Sequence, residues 1–333
     1  MKKIYFVLTC LTAATAAQAQ TSVTIYGVAD AGITLENNGG APGNIRRLDS
    51  GILNGSRLGF RGTEDLGGGL SALFLLETGI NLDDGTAAQG ALAFGRQTWV
   101  GLASQAGTLK LGRQLAPVYA NNSVFDPFAD GLAGDTSRLF SYGGFRINNA
   151  ITYGHEKNGF RGQVLYGFGE VAGNTAAARS LGAFGGYKSG PVDVVLTWQK
   201  TNNVAGTVGA RTTLLGGNYD FGPVKAYLAY AWNRDATATG VPAAGSDTRD
   251  ALIGLTAPVG AGSVKLSWIK KTNRTIANAN ATQIAIGYVH DLSKRTALYT
   301  SAARLNNDTA ASYKAGAPGA TDKLLDVGIR HTF

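Results

Sequence analysis

Segments in which apolar and polar residues alternate recur along the chain, most about 10–12 residues long. They are read as Ser22–Leu35, Ser56–Leu66, Leu70–Asn81, Phe94–Ser104, Thr108–Ala116, Arg146–Lys157, Phe160–Glu170 and Arg179–Gly190. The second half continues with Val192–Asn202, Arg211–Phe221, Val224–Asp235, Thr248–Val259, Ser263–Arg274, Ala281–Leu292, Thr296–Asn307 and Asp322–Phe333, sixteen in all. Strands of soluble sheets average about five or six residues. At about 3.3 Å per residue and about 45° of tilt, about eleven residues rise roughly 25 Å, the apolar height of an outer-membrane barrel.

The connections alternate in length. Leu66-Gly67-Gly68-Gly69, Gln105-Ala106-Gly107, Gly190-Pro191, Gly222-Pro223, Gly260-Ala261-Gly262 and Ser293-Lys294-Arg295 are tight turns. Between them fall the longer joins Glu36–Gly55, Val118–Phe145, Ala236–Asp247 and Asp308–Thr321. Short turns at one end and long loops at the other are the pattern of a membrane barrel, whereas a Greek-key sandwich has no reason to make every second turn minimal. No α-helical stripe and no interdomain linker interrupts it. The expected fold is all-β: one sixteen-stranded antiparallel transmembrane barrel over residues 20–333.

The last segment supports closure. Leu325, Val327, Ile329, His331 and Phe333 share one face, with Leu324, Asp326, Gly328, Arg330 and Thr332 on the other. Chain ends usually fray into water. A barrel must instead pair its final strand fully, because lipid satisfies no backbone polar group. Phe333 is therefore read as the seam, with Asp322–Phe333 pairing to Ser22–Leu35.

Residues 1–19 read as a cleavable export signal, with Lys2 and Lys3, an apolar Ile4–Leu11 and the small-x-small site Ala17-Gln18-Ala19. The single cysteine, Cys10, lies inside it, so the mature chain has no thiol chemistry. Removing the signal lowers the formal charge from +8 to +6. The remaining cations are scattered rather than clustered, which argues against a nucleic-acid groove. No stretch reaches the roughly 18 apolar residues of a membrane helix, and glycine, 47 of 333 residues, is about twice its usual share. An exported chain of this composition that spans a membrane must do so with strands, as in the bacterial outer membrane.

The segment faces agree with a membrane barrel. Val192, Val194, Leu196 and Trp198 alternate with Asp193, Thr197 and Gln199. Tyr153, Tyr166, Phe168, Tyr187, Tyr219, Phe221, Tyr227, Tyr288 and Tyr299 gather near segment ends, as in the aromatic girdles of a membrane barrel or in ordinary cross-strand packing. Gly27, Ala29, Ala31 and Gly62 make part of the outward face small enough for a neighbouring wall to approach.

The blocks SVTIYGVADAGI, SRLGFRGTEDLGGGLSALFLLE, FGRQTWVGL, LKLGRQ, FRINNAITY and the closing DVGIRHTF resemble the general porins of Gram-negative bacteria, specifically the trimeric sixteen-stranded type of β-proteobacteria and Neisseria. These blocks cover both ends and the first half, and the middle segments match in pattern alone. The resemblance implies a homotrimer of water-filled pores for ions and small hydrophilic solutes, each narrowed by the third external loop folded inward. It also implies contact with outer-membrane lipid and lipopolysaccharide, and a terminal Phe333 read by the barrel-assembly machinery. No cofactor is implied.

Val118–Phe145 is the longest join and stands where that loop belongs, between the fifth and sixth segments. Phe125, Pro127, Phe128 and Leu139 make it a poor exposed tip, although a flap or a subunit contact is the alternative; Asp126, Asp130 and Asp135 are its candidate constriction acids. The opposing basic wall is assigned to Arg57, Arg61, Arg96 and Arg146. Parity puts Arg57 and Arg61 on one inward face with Gly59, and places Arg146 opposite Ile147 on the polar side. By resemblance, Arg57, Arg96 and Arg146 fall at the family's constriction positions. Arg113 shares parity with Leu109 and Leu111 and reads as outward. Arginine stays charged at any relevant pH and is weakly hydrated, so it can line a passage and favour anions.

Catalysis is poorly supported. His155, His290 and His331 lie in separate segments without cysteine or clustered acids, which argues against zinc, and no serine sits in a nucleophile elbow. A rim lipase or protease, a plugged adhesive barrel and a solute-specific channel remain as alternatives, the last requiring a line of lumen aromatics or a denser basic ladder.

Overall fold

The computed structural model describes residues 22–333 apart from 42, 130, 143, 238 and 239. The expected signal segment and Asp130 therefore lie outside the described residues. Among the described residues are seventeen strands: β1 Ser22–Asn37, β2 Asn44–Ser50, β3 Arg57–Gly67, β4 Leu70–Gly79, β5 Gln97–Ser104 and β6 Gly107–Leu115. Then come β7 Arg146–Lys157, β8 Phe160–Gly167, β9 Ser180–Ser189, β10 Val192–Asn202, β11 Gly209–Asp220 and β12 Lys225–Ala236. β13 Pro242–Val259, β14 Gly262–Asn273, β15 Ala281–Asp291, β16 Thr296–Asn307 and β17 Thr321–Thr332 complete the sheet.

These strands form sixteen staves. The lower half of β1 pairs with β3, from Ser22↔Thr63 to Val28↔Arg57, and its upper half pairs with β2, from Ala31↔Ser50 to Asn37↔Asn44. β2 and β3 are thus two halves of one stave, interrupted at residues 51–56. The other edge of β1 pairs with β17 from Val28↔Thr332 to Asn37↔Lys323, closing the barrel. Phe333 finishes the seam, its N–H donating to the Gly27 carbonyl and the Gly27 N–H to the Phe333 carbonyl, both at 3.1 Å.

The alternation decides which face is which. Leu196, Leu215, Leu228, Ile253, Ile284 and Val327 point outward and are exposed, while Thr197, Gln199, Asn233, Asp250, Gln283 and Asp326 point inward. An apolar outside and a polar inside are what lipid around a hydrated lumen requires. Phe160 against Tyr187 and Tyr219 against Phe221, each pair at 4.5 Å between centroids, mark the rim beside the short turns.

Several sequence expectations change. Glu36–Gly55 is not one long join, because residues 44–50 are paired strand; Ala236–Asp247 is mostly strand as well, since Ala236 pairs with Pro242. Two expected girdle tyrosines point inward instead. Tyr299 is buried and donates its hydroxyl to Asp30 at 2.6 Å, and Tyr227 packs against the inner core. Parity also breaks in β7, where the register skips between Gly112 and Gln114 of β6 and Asn149 has a left-handed φ of 51°. A bulge flips the residues beyond it to the other face. Ile147, expected outward, is therefore buried with Ala116, Ala150 and Leu165.

Residues 116–145 leave the wall and pack on the polar inner faces of strands across the barrel. Asn218 donates to the Val124 carbonyl (2.7 Å), Lys265 to the Pro127 carbonyl and Ser267 to the Gly134 carbonyl (3.2 Å), while the Ala133 N–H reaches Ser301 Oγ (3.0 Å). Two glycines make room: a Cβ at Gly216 would stand 2.5 Å from that of Phe125, and one at Gly254 2.6 Å from the Pro127 ring. The sequestered surface is substantial, with Phe125, Phe128, Leu139 and Phe140 nearly inaccessible.

The end of this segment is held by charge. Lys271 and Asp250 are fully buried on β14 and β13, 2.5 Å apart; Asp250 also accepts from the Ser141 N–H (3.1 Å) and Asn233 (2.7 Å). Removing one partner of such a pair strands a buried charge and costs about 3–5 kcal/mol. Lys271→Met should lower the thermal unfolding temperature of the detergent-solubilised barrel, followed by circular dichroism. Adding Asp250→Asn, which removes the charge but keeps an amide, should restore most of the loss.

Candidate functional site

The interrupted stave shapes one side of the lumen. Asp30 of β1 turns inward and accepts from the N–H groups of Leu53 (2.9 Å) and Asn54 (2.7 Å), so residues 51–56 are drawn off the wall immediately above Arg57. Glu77 of β4 stands across from Gly59, and Gly59 across from Tyr26, which puts all three on one inward row. Tyr26 donates its hydroxyl to Glu77 at 2.8 Å, Arg96 donates Nε to Glu77 at 2.8 Å, and Arg57 Nε lies 3.7 Å from the same carboxylate.

Arg146 joins from the first residue of β7, where the alternation no longer dictates direction. Its Nε donates to the Arg96 carbonyl at 2.7 Å and its Cζ lies 6.0 Å from the centroid of Tyr119. Among the described residues it has no carboxylate within ion-pair distance. Glu77 thus holds two guanidinium groups, and the third, Arg146, stands beside Arg96 without a carboxylate of its own, which leaves the cluster with an excess of positive charge. Arg61 is inward but stands apart, exposed, with its guanidinium 5.3 Å from the Tyr26 ring. Arg113 pairs across from outward-facing Thr98 and is occupied by the Gly95 carbonyl (2.8 Å) and the Asn148 side chain, so it belongs to the outer wall as its parity implies.

The loop acids divide. Asp126 is buried, 2% exposed, and serves the loop itself. It accepts from the Phe128 N–H (2.8 Å), the Thr136 N–H (2.8 Å) and the Thr136 hydroxyl (2.6 Å). Burial pushes its carboxyl above the usual carboxylate range, partly offset by the Thr136 and Phe128 bonds. It does not face the lumen, contrary to its expected place among the constriction acids. Asp135 caps the short 3₁₀ turn Thr136–Arg138 through the Ser137 N–H and lines a cavity of about 520 Å³. Arg47, Asp49, Arg138, Tyr119 and Phe145 line the same cavity. Arg138 is paired with Asp322 and donates to Gln283 at 2.9 Å, which anchors the loop to the far wall.

Sequence reasoning missed Glu77, although a single acid inside the apolar run LFLLETG was a usable signal. It also missed Tyr119 and Phe145 as cavity residues, because their direction is set by the path of the loop and by no periodicity. Among the described residues no group of three or more His, Cys, Asp or Glu could hold a metal ion.

Comparison with known proteins gives consistent matches. Residues 7–310 match a family model described as Gram-negative porin. The chain is 34% identical to outer membrane porin protein 32 of Delftia acidovorans, covering all of both chains. It is 26% identical to a major outer membrane protein P.IB of Neisseria gonorrhoeae, again over the full length of both. Among solved structures, an anion-selective porin from Comamonas acidovorans superposes with a TM-score of 0.81 at 33% identity, covering 94% of this chain and all of that one.

Replacing the buried loop carboxylate should loosen the loop without opening the barrel. Asp126→Ala leaves the N–H groups of Phe128 and Thr136 unsatisfied, each a loss of about 1–3 kcal/mol. Hydrogen–deuterium exchange should rise at those two amides and stay low in β13 and β14.

Proposed function

Because the chain belongs to the Gram-negative porin family, we propose that its outer-membrane channel passes ions and small hydrophilic solutes by passive diffusion and prefers anions through Arg57, Arg96 and Arg146. The observation that carries this reading is the un-neutralised Arg146 beside two arginines sharing one carboxylate. The anion selectivity in the description of the Comamonas acidovorans porin supports it. The loop 116–145 narrows the passage, with Asp135 as its lumen-facing acid and Asp130 a further candidate. Fixed positive charge raises the local concentration of anions, and low-dielectric walls focus the effect. Arg61 extends the positive potential toward the short-turn end.

The assembly is a homotrimer, with the small outward residues Ala29 and Ala31 of β1 at the subunit contact. Phe333 presents its ring outward at the seam, where the barrel-assembly machinery can read it. Lys200, Arg211 and Arg234 stand in direct cross-strand register on the outward face near the long loops, a row suited to lipopolysaccharide phosphate.

The test is the zero-current potential across planar bilayers in a potassium chloride gradient. One unit charge at about 4 Å is worth about 1 kcal/mol in water, roughly a fivefold change in ion occupancy. Arg57→Gln, Arg96→Gln and Arg146→Gln should each move the potential toward that of potassium, Arg146→Gln the most, and Glu77→Gln should move it the other way. The differences should shrink at 1 M salt, where the Debye length is about 3 Å. Clear cation preference in the unaltered protein would sink the arginine reading.

A further inference from the structure

The indrawn segment 51–56 gathers more positive charge than Arg57, Arg96 and Arg146 account for. Arg330 lies on the inward face of β17 with Asp322 and Asp326, directly across from Asp30 of β1. Its Nη1 donates to Asn54 Oδ1 at 3.0 Å. The next residue, Gly55, receives two of the filter arginines. Arg57 Nη1 donates to the Gly55 carbonyl at 3.3 Å, and Arg96 Nη1 lies so close that a Cβ at Gly55 would stand 2.6 Å from it. Guanidinium groups from β17, from β3 and from the residue before β5 thus rest on consecutive residues of one short segment.

Arg330 is not neutralised where it stands. Among the described residues it has no carboxylate within ion-pair distance. Asp30 is committed elsewhere, one oxygen accepting from the Tyr299 hydroxyl and the other from the N–H groups of Leu53 and Asn54. The Arg330 Nε is buried and has no hydrogen-bond partner. Buried donors are ordinarily paired, so this cation is held by the shape around it and not by an acid. Lys265, bonded to the Pro127 carbonyl of the loop, is near enough for the two cations to repel.

We propose that Arg330 is a fourth specificity-determining residue of the anion filter, supplied by the closing strand. The inference rests on the reading of Arg57, Arg96 and Arg146 as the filter, and it extends that filter across β1 to β17. Of the four guanidinium groups, Arg57 and Arg96 share Glu77, while Arg146 and Arg330 have no acid of their own. Asp30, which stands between Arg57 and Arg330, is fully buried with both oxygens occupied. Fixed charges of one sign along a narrow lumen act together on an ion, because low-dielectric walls focus their field. A guanidinium keeps its charge at any relevant pH, so the contribution of Arg330 is permanent. A merely structural Arg330 would hold Asn54 in place and leave ion preference to the other three.

The experiment uses the scarcity of thiols. Cys10 is the single cysteine of the sequence and falls in the expected export signal, so a thiol at position 330 can be modified alone. Arg330→Cys channels are recorded in a potassium chloride gradient near about 0.1 M, before and after a cationic or an anionic methanethiosulfonate is added, with the unaltered channel as control. The substitution should move the zero-current potential toward that of potassium, a fall of roughly two- to fivefold in the chloride-to-potassium permeability ratio. The cationic reagent should bring the potential back, and the anionic reagent should drive it further. Arg330→Lys should stay near the unaltered value. Conductance steps and circular dichroism check that each variant still forms the barrel. An unchanged potential in Arg330→Cys would overturn the proposal. So would reagents that shift the potential in the same direction, which is bulk and not charge, or no response to either, which places the side chain away from the passage. A cation-preferring unaltered channel counts against the three-arginine filter, whereas the opposed effects of the two reagents stand or fall with Arg330 alone.

Discussion

Backbone pairing in lipid is the constraint from which the rest of this structure follows. Each N–H or C=O left unpaired in the hydrocarbon region costs several kcal/mol, so a sheet that enters the membrane must have no edge. The chain meets this requirement by bringing its two described ends together, β1 against β17, with the terminal residue itself bonded to Gly27. Closure creates an inside, and the two-residue period of the strands fills that inside with Thr, Gln, Asn, Asp and Lys. Polar interior faces would be poor walls for a soluble core. Here they supply the partners that hold residues 116–145.

The same polar wall explains why the inserted segment can be both apolar and specific. Phe125, Phe128 and Leu139 lose water against the wall and against one another, while Ser301 and Asp250 fix the loop backbone at Ala133 and Ser141, and Gln283 and Asp322 hold the Arg138 side chain. Position matters because the loop carries Tyr119 and Phe145 to the arginine cluster. The cluster in turn depends on a local irregularity, the interruption of the second stave, which Asp30 holds by accepting from successive backbone N–H groups.

The regular part of this architecture was legible in the sequence because it is periodic. Arg146–Lys157, Val192–Asn202 and Thr296–Asn307 coincide with the strands as read, and the outward Leu196 and Trp198 follow from alternation alone. Arg57 was assigned inward by parity and Arg113 outward by the same argument. What escaped depends on breaks in the period or on contacts between distant parts of the chain. The β7 bulge at Asn149 turned Ile147 inward, and a strict alternation cannot contain it. Asp126 looked like a lumen acid because its role is set by Thr136, ten residues away along an irregular path. Tyr299 sat near a strand end like a girdle residue, yet it faces inward to Asp30, 269 positions distant. Arg96 was placed by family resemblance and Arg146 by resemblance and by a parity that the β7 bulge removes, and Glu77, the partner of Arg57 and Arg96, was overlooked.

The loop also touches wall on both sides of the closing seam. Its Leu132 N–H donates to the Ile52 carbonyl in the interrupted stave at 2.5 Å, while Ala133 and Arg138 bind Ser301 of β16 and Asp322 of β17. The segment is therefore a tie-bar across the joint between the first and last parts of the barrel. A tie of this kind cannot be made before both halves are present, because its anchors lie near opposite ends of the chain. The loop therefore braces the closed hoop on both sides of its joint. A partly closed barrel would hold the loop by one side only, its apolar residues still partly in water.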